Sequence, residues 1–165
     1  MYQTGELLVY GIHGVCRVRE KERQTVDRKQ VTYLVLEPLG QPGARFLVPT
    51  HVPAAMAKLR PMLTREELSA LLESEQIRSA GWIAEEDRRK QCYRELIGSG
   101  DRAKLLAMIF AVSRHKAAQT GAGRKIHLCD ENFLRDAEKL LSGEIAAVMD
   151  MGPEEARAFL REKLK

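Results

Sequence analysis

The spacing of apolar residues changes once along the chain, near residue 60, and that change restricts the fold more than any single motif does. Before it, apolar and charged residues alternate, as in Val15-Cys16-Arg17-Val18-Arg19, the pattern of a half-buried strand. After it, Phe133, Leu134, Ala137, Leu140, Leu141, Ile145 and Val148 recur at the helical period and line one face. Strands first and helices second predict an α+β fold with segregated parts. The junction is expected between residues 53 and 63, giving a β part over residues 1–60 and a helical part over residues 61–165.

Four or five short strands are expected in the first part: Glu6–Tyr10, Val15–Arg19, Val31–Leu36 and Arg45–Pro49, with Pro38–Gly43 as a turn and polar residues 20–30 as a hairpin tip. So many strands in so few residues suit a small, strongly bent barrel, with Tyr10, Tyr33 and Phe46 in its core. The second part predicts a bundle of about five α-helices. Thr64-Arg65-Glu66-Glu67 reads as a capping box, and Asp101 and Asp130 as helix caps. Ser74–Ala80 reads as a polar connection, Gln119–Lys125 as a basic loop, and Gly152-Pro153 as the break before the last helix.

Charge is unevenly placed. The net charge is +4, but residues 76–129 carry eleven Lys/Arg against five Asp/Glu, while residues 130–165 carry six against nine. The middle of the helical part is therefore the best candidate surface for a polyanion, although such runs also form plain solvated faces. Hydrophobic content of 44% supplies a core. No apolar run approaches the ~18 residues of a membrane span. The first residues lack a basic segment followed by an apolar one, so a cytoplasmic, membrane-free protein is expected. Cys16, Cys92 and Cys129 are far apart and read as free thiols. The four histidines are dispersed, no glycine-rich phosphate loop follows a strand, and no nucleophile sits beside a base. Neither metal, cofactor nor enzymatic activity is expected.

One stretch stands out chemically. Trp82, the only tryptophan, precedes Glu85-Glu86-Asp87 and then Arg88-Arg89-Lys90 and Arg94, with Gly98-Ser99-Gly100 as the stop. Acids before bases is the order a helix dipole favours. A planar wedge beside cations can hold distorted DNA, and the same pattern also suits a core anchor followed by a solvated helix face.

The opening GELLVYGIHGVCRV resembles the start of the CarD/CdnL family of bacterial RNA-polymerase-binding regulators, through Gly5-Glu6, Val9-Tyr10 and His13-Gly14. YLVL at 33–36 and LVP at 47–49 fall where the family's later strands fall. Trp82, Arg88-Arg89-Lys90, Ser99-Gly100-Asp101 and FLRDAEKLL at 133–141 extend the likeness into the helical part. The same barrel occurs in transcription-repair coupling factors. The resemblance implies an SH3- or tudor-like barrel that binds the polymerase β subunit by adding a strand at its edge, with Arg23, Gln24, Arg45 and Leu47 as contacts. It also implies a helical domain on promoter DNA that modulates open-complex stability. There Trp82 wedges into the minor groove, while Arg88, Arg89, Lys90 and Arg94 meet the backbone without reading sequence. A monomer is expected. Relative to the family's spacing, four extra residues separate the tryptophan from the Ser-Gly-Asp stop. As one added helical turn they would move the ring about 5.4 Å along the axis. Two other readings stay open: a protein-only polymerase adaptor that has lost DNA contact, and an RNA-binding SH3-like module.

Overall fold

The computed structural model describes residues 2–165, and the chain divides into two compact units between Met62 and Leu63. The first unit is an antiparallel sheet of β1 (Leu7–Tyr10), β2 (Val15–Val26), β3 (Lys29–Pro38), β4 (Phe46–Pro49) and β5 (Leu59–Pro61), in the order β4-β3-β2-β1-β5. A one-turn helix, α1 (Pro53–Met56), leads into β5. Leu8, Cys16, Val18, Leu34 and Leu36 form the apolar cluster together with Val48 from one edge strand and Leu59 from the other. Both edges feeding one cluster means that the sheet curls on itself. Tyr10 and Phe46 pack against this cluster as expected, whereas Tyr33 is not part of it. Burial pushes the Cys16 thiol up to about 11, so at neutral pH it is an inert apolar filler.

Two sequence expectations change here. Residues 20–30 are not a broad hairpin tip: β2 and β3 stay paired out to Val26 and Lys29, and only Asp27-Arg28 turn the chain. Both turn residues have positive φ, 49° and 65°, the geometry that matches the twist of a two-residue hairpin. This outer ribbon is exposed along much of its length, so it carries no in-out alternation to read. A register shift between Val18 and Glu20 also breaks the alternation, as a β-bulge does. The fifth strand lies within what the sequence presented as the junction, since three residues are too few to show a period.

The second unit holds six helices: α2 (Arg65–Leu72), α3 (Glu75–Arg78), α4 (Glu86–Ser99), α5 (Arg102–Gly121), α6 (Leu128–Met149) and α7 (Pro153–Lys163). Together with the five-stranded antiparallel sheet they make the α+β organisation that the change of period implies. The Thr64 capping box forms in both directions, at 3.1 and 3.0 Å. Asp101 caps α5 by accepting from the Lys104 N–H. Gly100, at φ 65°, closes α4 in the left-handed region. The supposed connection 74–80 contains α3, whose single apolar residue, Ile77, is wholly buried. The 119–125 loop is shorter than expected, because α5 continues to Gly121. Leu105, Leu106, Ile109, Leu134, Ala137, Leu141, Ile145 and Leu160 form the centre of the core. No helix among the described residues is long and apolar enough to cross a membrane.

Candidate functional site

In the sheet, the four suggested partner-binding residues do not share one face. Beyond the bulge, Glu20, Glu22 and Gln24 alternate onto one side of β2, and Lys21 and Arg23 onto the other. Register places Gln24 opposite Val31, Glu22 opposite Tyr33, and Glu20 opposite Val35, which in turn lies opposite Leu47. Arg45 joins this face through Glu22 at 3.0 Å and Glu20 at 3.4 Å. The Gln24 amide, donating at 2.6 Å, and then Arg45 hold the Glu22 carboxyl below the usual range. Gln24, Arg45 and Leu47 are thus gathered, while Arg23 points the other way, opposite Thr32.

The edge strand β4 has its own chemistry. The Thr50 N–H donates to the Thr32 carbonyl at 3.0 Å, so the 32–50 pair exchanges hydrogen bonds with its partner strand. Alternation along an antiparallel ladder then makes 34–48 and 36–46 the bonded pairs and 35–47 the unbonded one. The N–H and C=O of Leu47 consequently face away from the sheet, and its side chain is 43% exposed. The opposite edge, β5, is three residues long and ends in proline, which blunts it.

In the helical unit, Trp82 lies in an irregular segment four residues before α4 begins. The ring is half-buried. It stacks on the His115 imidazole from α5, with centroids 3.6 Å apart and planes 4° from parallel. The Arg89 guanidinium carbon lies 4.3 Å from the indole centroid. The Glu85-Glu86-Asp87 run counted among the extra residues is divided: Glu85 is the N-cap of α4, while Glu86 and Asp87 open its first turn, and the ring lies against that turn beside Arg89.

Arg89 is the main correction to the suggested phosphate contacts. It is only 3% exposed. Its Nε and Nη2 donate to the two carboxylate oxygens of Asp130 at 2.8 and 2.9 Å. Its Nη1 donates to the carbonyls of Ile83 and Ala84 at 3.0 and 3.4 Å. All three nitrogens are committed inside the unit, which leaves nothing to offer a phosphate. Asp130 changes role as well. The N-cap position of α6 is His127, and Asp130 is fully buried in the first turn, where it binds Arg89 instead of capping.

Of the remaining suggested cations, two face solvent and Lys90 is half-buried. Arg88 and Arg94 are exposed and, among the described residues, have no ion-pair partner. Lys90 pairs with Glu86 at 2.7 Å, and that contact holds the Glu86 carboxyl below its ordinary range. Lys90 and Arg94 are one turn apart and share a side, whereas Arg88 lies about 120° round the helix from Arg94. Glu85, Glu86 and Asp87 are exposed at the same end of α4. Beyond α5, exposed Arg124, Lys125 and His127 precede Leu128, which is 71% exposed and the barest of the exposed large hydrophobic residues. Sequence reasoning missed His115, Leu128 and the Arg89–Asp130 pair. Only Leu128 carried a visible signal, an apolar residue at the end of a basic loop.

Among the described residues, no group of three or more His, Cys, Asp or Glu is placed to hold a metal. In comparison with known proteins, residues 2–61 match the family model described as CarD-like/TRCF RID domain. No curated protein matches the chain.

Proposed function

We propose that the protein, whose residues 2–61 match the CarD-like/TRCF RID domain model, is a non-enzymatic transcription regulator that binds RNA polymerase through its sheet and promoter DNA through its helical unit. The observation that carries the reading is the β4 edge, with the Leu47 backbone facing outward inside a matched domain of this type. A strand of the polymerase β subunit would pair there by β-augmentation, flanked by Leu47, Arg45 and Gln24. Arg23, on the other face, would not take part in the same contact.

The DNA contact would combine Trp82 with the exposed Arg88 and Arg94 and with Lys90, which would exchange Glu86 for a phosphate. Trp82 would act as the apolar wedge in the minor groove, and the cations would neutralise phosphates without reading sequence. Each contact can be weak, because a protein tethered to polymerase meets the DNA at high local concentration. The outcome would be a changed open-complex lifetime.

Leu47→Pro tests the polymerase half. It removes an outward N–H and leaves the bonded pairs 34–48 and 36–46 in place. Loss of polymerase binding with the fold retained is expected, and undiminished binding would refute the edge assignment. Trp82→Ala tests the other half: polymerase binding should persist while the effect on open-complex lifetime falls. A second reading, the protein-only adaptor, is favoured by the commitment of Arg89 to Asp130 and by the exposed acids beside Arg88. Under that reading Trp82→Ala leaves the lifetime effect intact, and forked DNA is not bound even at low salt.

A further inference from the structure

The segment that carries Trp82 has no helix or strand of its own, yet its ring sits in a defined pose. Three helices supply that pose. His115 from α5 stacks on the indole. Arg89 from α4 lies against it, and the same guanidinium holds the carbonyls of Ile83 and Ala84, the two residues that follow the ring. Asp130 from α6 engages the other edge of that guanidinium with both oxygens. A bidentate fork fixes the guanidinium plane as well as its position, which a single hydrogen bond would not do.

We propose that Asp130 is a positioning residue for Trp82, acting through Arg89 as a buried carboxylate–guanidinium–indole relay that presets the ring for its DNA contact. The inference rests on the reading of Trp82 as a DNA-contacting residue, but the relay itself concerns the free protein. If buried charge served only to join α4 to α6, a pair of apolar residues would do as well. The relay differs in orienting a planar cation against a planar ring and in tying down the link that bears it. A wedge held in one pose before binding gives up less conformational freedom on reaching DNA.

Trp82 is the only tryptophan, so its fluorescence reports the ring in the full chain without labelling. Two variants are compared with the parent: Asp130→Asn, and the double variant Arg89→Met/Asp130→Leu, which removes both charges and keeps the core apolar. Far-UV circular dichroism checks that each is folded. The relay predicts that both folded variants show a red-shifted, more acrylamide-accessible and less anisotropic Trp82. It also predicts a loss in open-complex lifetime effect on the order of tenfold, the scale of a lost stacking contact, with polymerase binding unchanged. If Asp130→Asn does not fold, the double variant decides alone. Parent-like emission, quenching and anisotropy in a folded double variant would overturn the relay. Should Trp82→Ala leave the lifetime effect intact, the DNA reading fails, and the fluorescence comparison still decides whether Asp130 sets the ring.

Discussion

Breaking the Arg89–Asp130 pair from one side should be among the most damaging single changes in the helical unit. Side-chain exposures are 3% and 1%, and the fork donates at 2.8 and 2.9 Å. Asp130→Ala would leave a guanidinium buried with only the Ile83 and Ala84 carbonyls to answer it. Removing one partner of such a pair costs about 3–5 kcal/mol, most of it the uncompensated charge. For a unit of about 100 residues, each kcal/mol lowers Tm by roughly 4–8 °C, so a drop of some 12 °C or more is expected. Arg89→Met should cost a similar amount. The double variant Arg89→Met/Asp130→Leu should recover to within about 1 kcal/mol of the parent, because neither charge is then buried alone. Urea unfolding followed by Trp82 emission is the assay, since the only tryptophan reports this unit alone. Lys116 is the comparison: it pairs with Glu131 at 3.5 Å with both side chains exposed, so Lys116→Ala should cost much less. A loss below about 1 kcal/mol for Asp130→Ala, or strictly additive single changes, would refute the argument that the charges are desolvated together.

Three further outcomes follow from the same geometry. Burial pushes the Tyr93 phenol up to about 12, and its hydroxyl has no hydrogen-bond partner among the described residues. The fold favours the neutral form, so stability should be whole below pH 10 and fall by roughly 2–3 kcal/mol as pH rises towards 12, and Tyr93→Phe should remove that fall in pH-dependent urea melts. Gly100→Ala should cost about 1 kcal/mol in the same melts, because φ 65° strains any side chain there; an unchanged midpoint would show that α4 can end another way. Arg94→Gln and Arg88→Gln should each reduce the slope of log affinity against log salt for forked DNA by about 1, and a slope equal to the parent's would strike that residue from the phosphate set.

How much of this was legible in sequence depended on length and on partner distance. Long amphipathic helices declared themselves, because each repeats its apolar spacing over several turns. Thr64 and Asp101 were readable as caps, because their partners lie three residues away. β5 and α3, with three and four residues, were too short to repeat anything. The outer β2–β3 ribbon is exposed along much of its length, so no alternation marked it. Asp130 shows the deeper limit. An acid near the start of a helix looks like a cap or a dipole partner. Its actual partner, Arg89, is 41 residues away in sequence, and nothing local distinguishes an acid facing water from one facing a guanidinium.

The Trp82 segment extends that point from partner choice to geometry. Trp82 and Arg89 are seven positions apart, which in a continuous helix would set their backbones about 10 Å apart along the axis. α4 starts only at Glu86, and the Arg89 guanidinium carbon reaches to 4.3 Å from the ring centroid. Helical arithmetic assigns the four extra residues a displacement of one turn. The link itself is held differently, since its carbonyls at Ile83 and Ala84 are bound by the same guanidinium that meets the indole. Residues added there can leave the ring in place as long as Arg89 and Asp130 remain, so the pose of Trp82 depends on tertiary partners more than on its count from the helix. A one-residue deletion at Glu85 separates the two accounts. A ring set by helical phase would rotate by about 100° and expose itself. A ring held by Arg89 and His115 should keep its emission maximum, with the strain appearing in the link, and a red-shifted, quencher-accessible Trp82 in that variant would return the segment to helical counting.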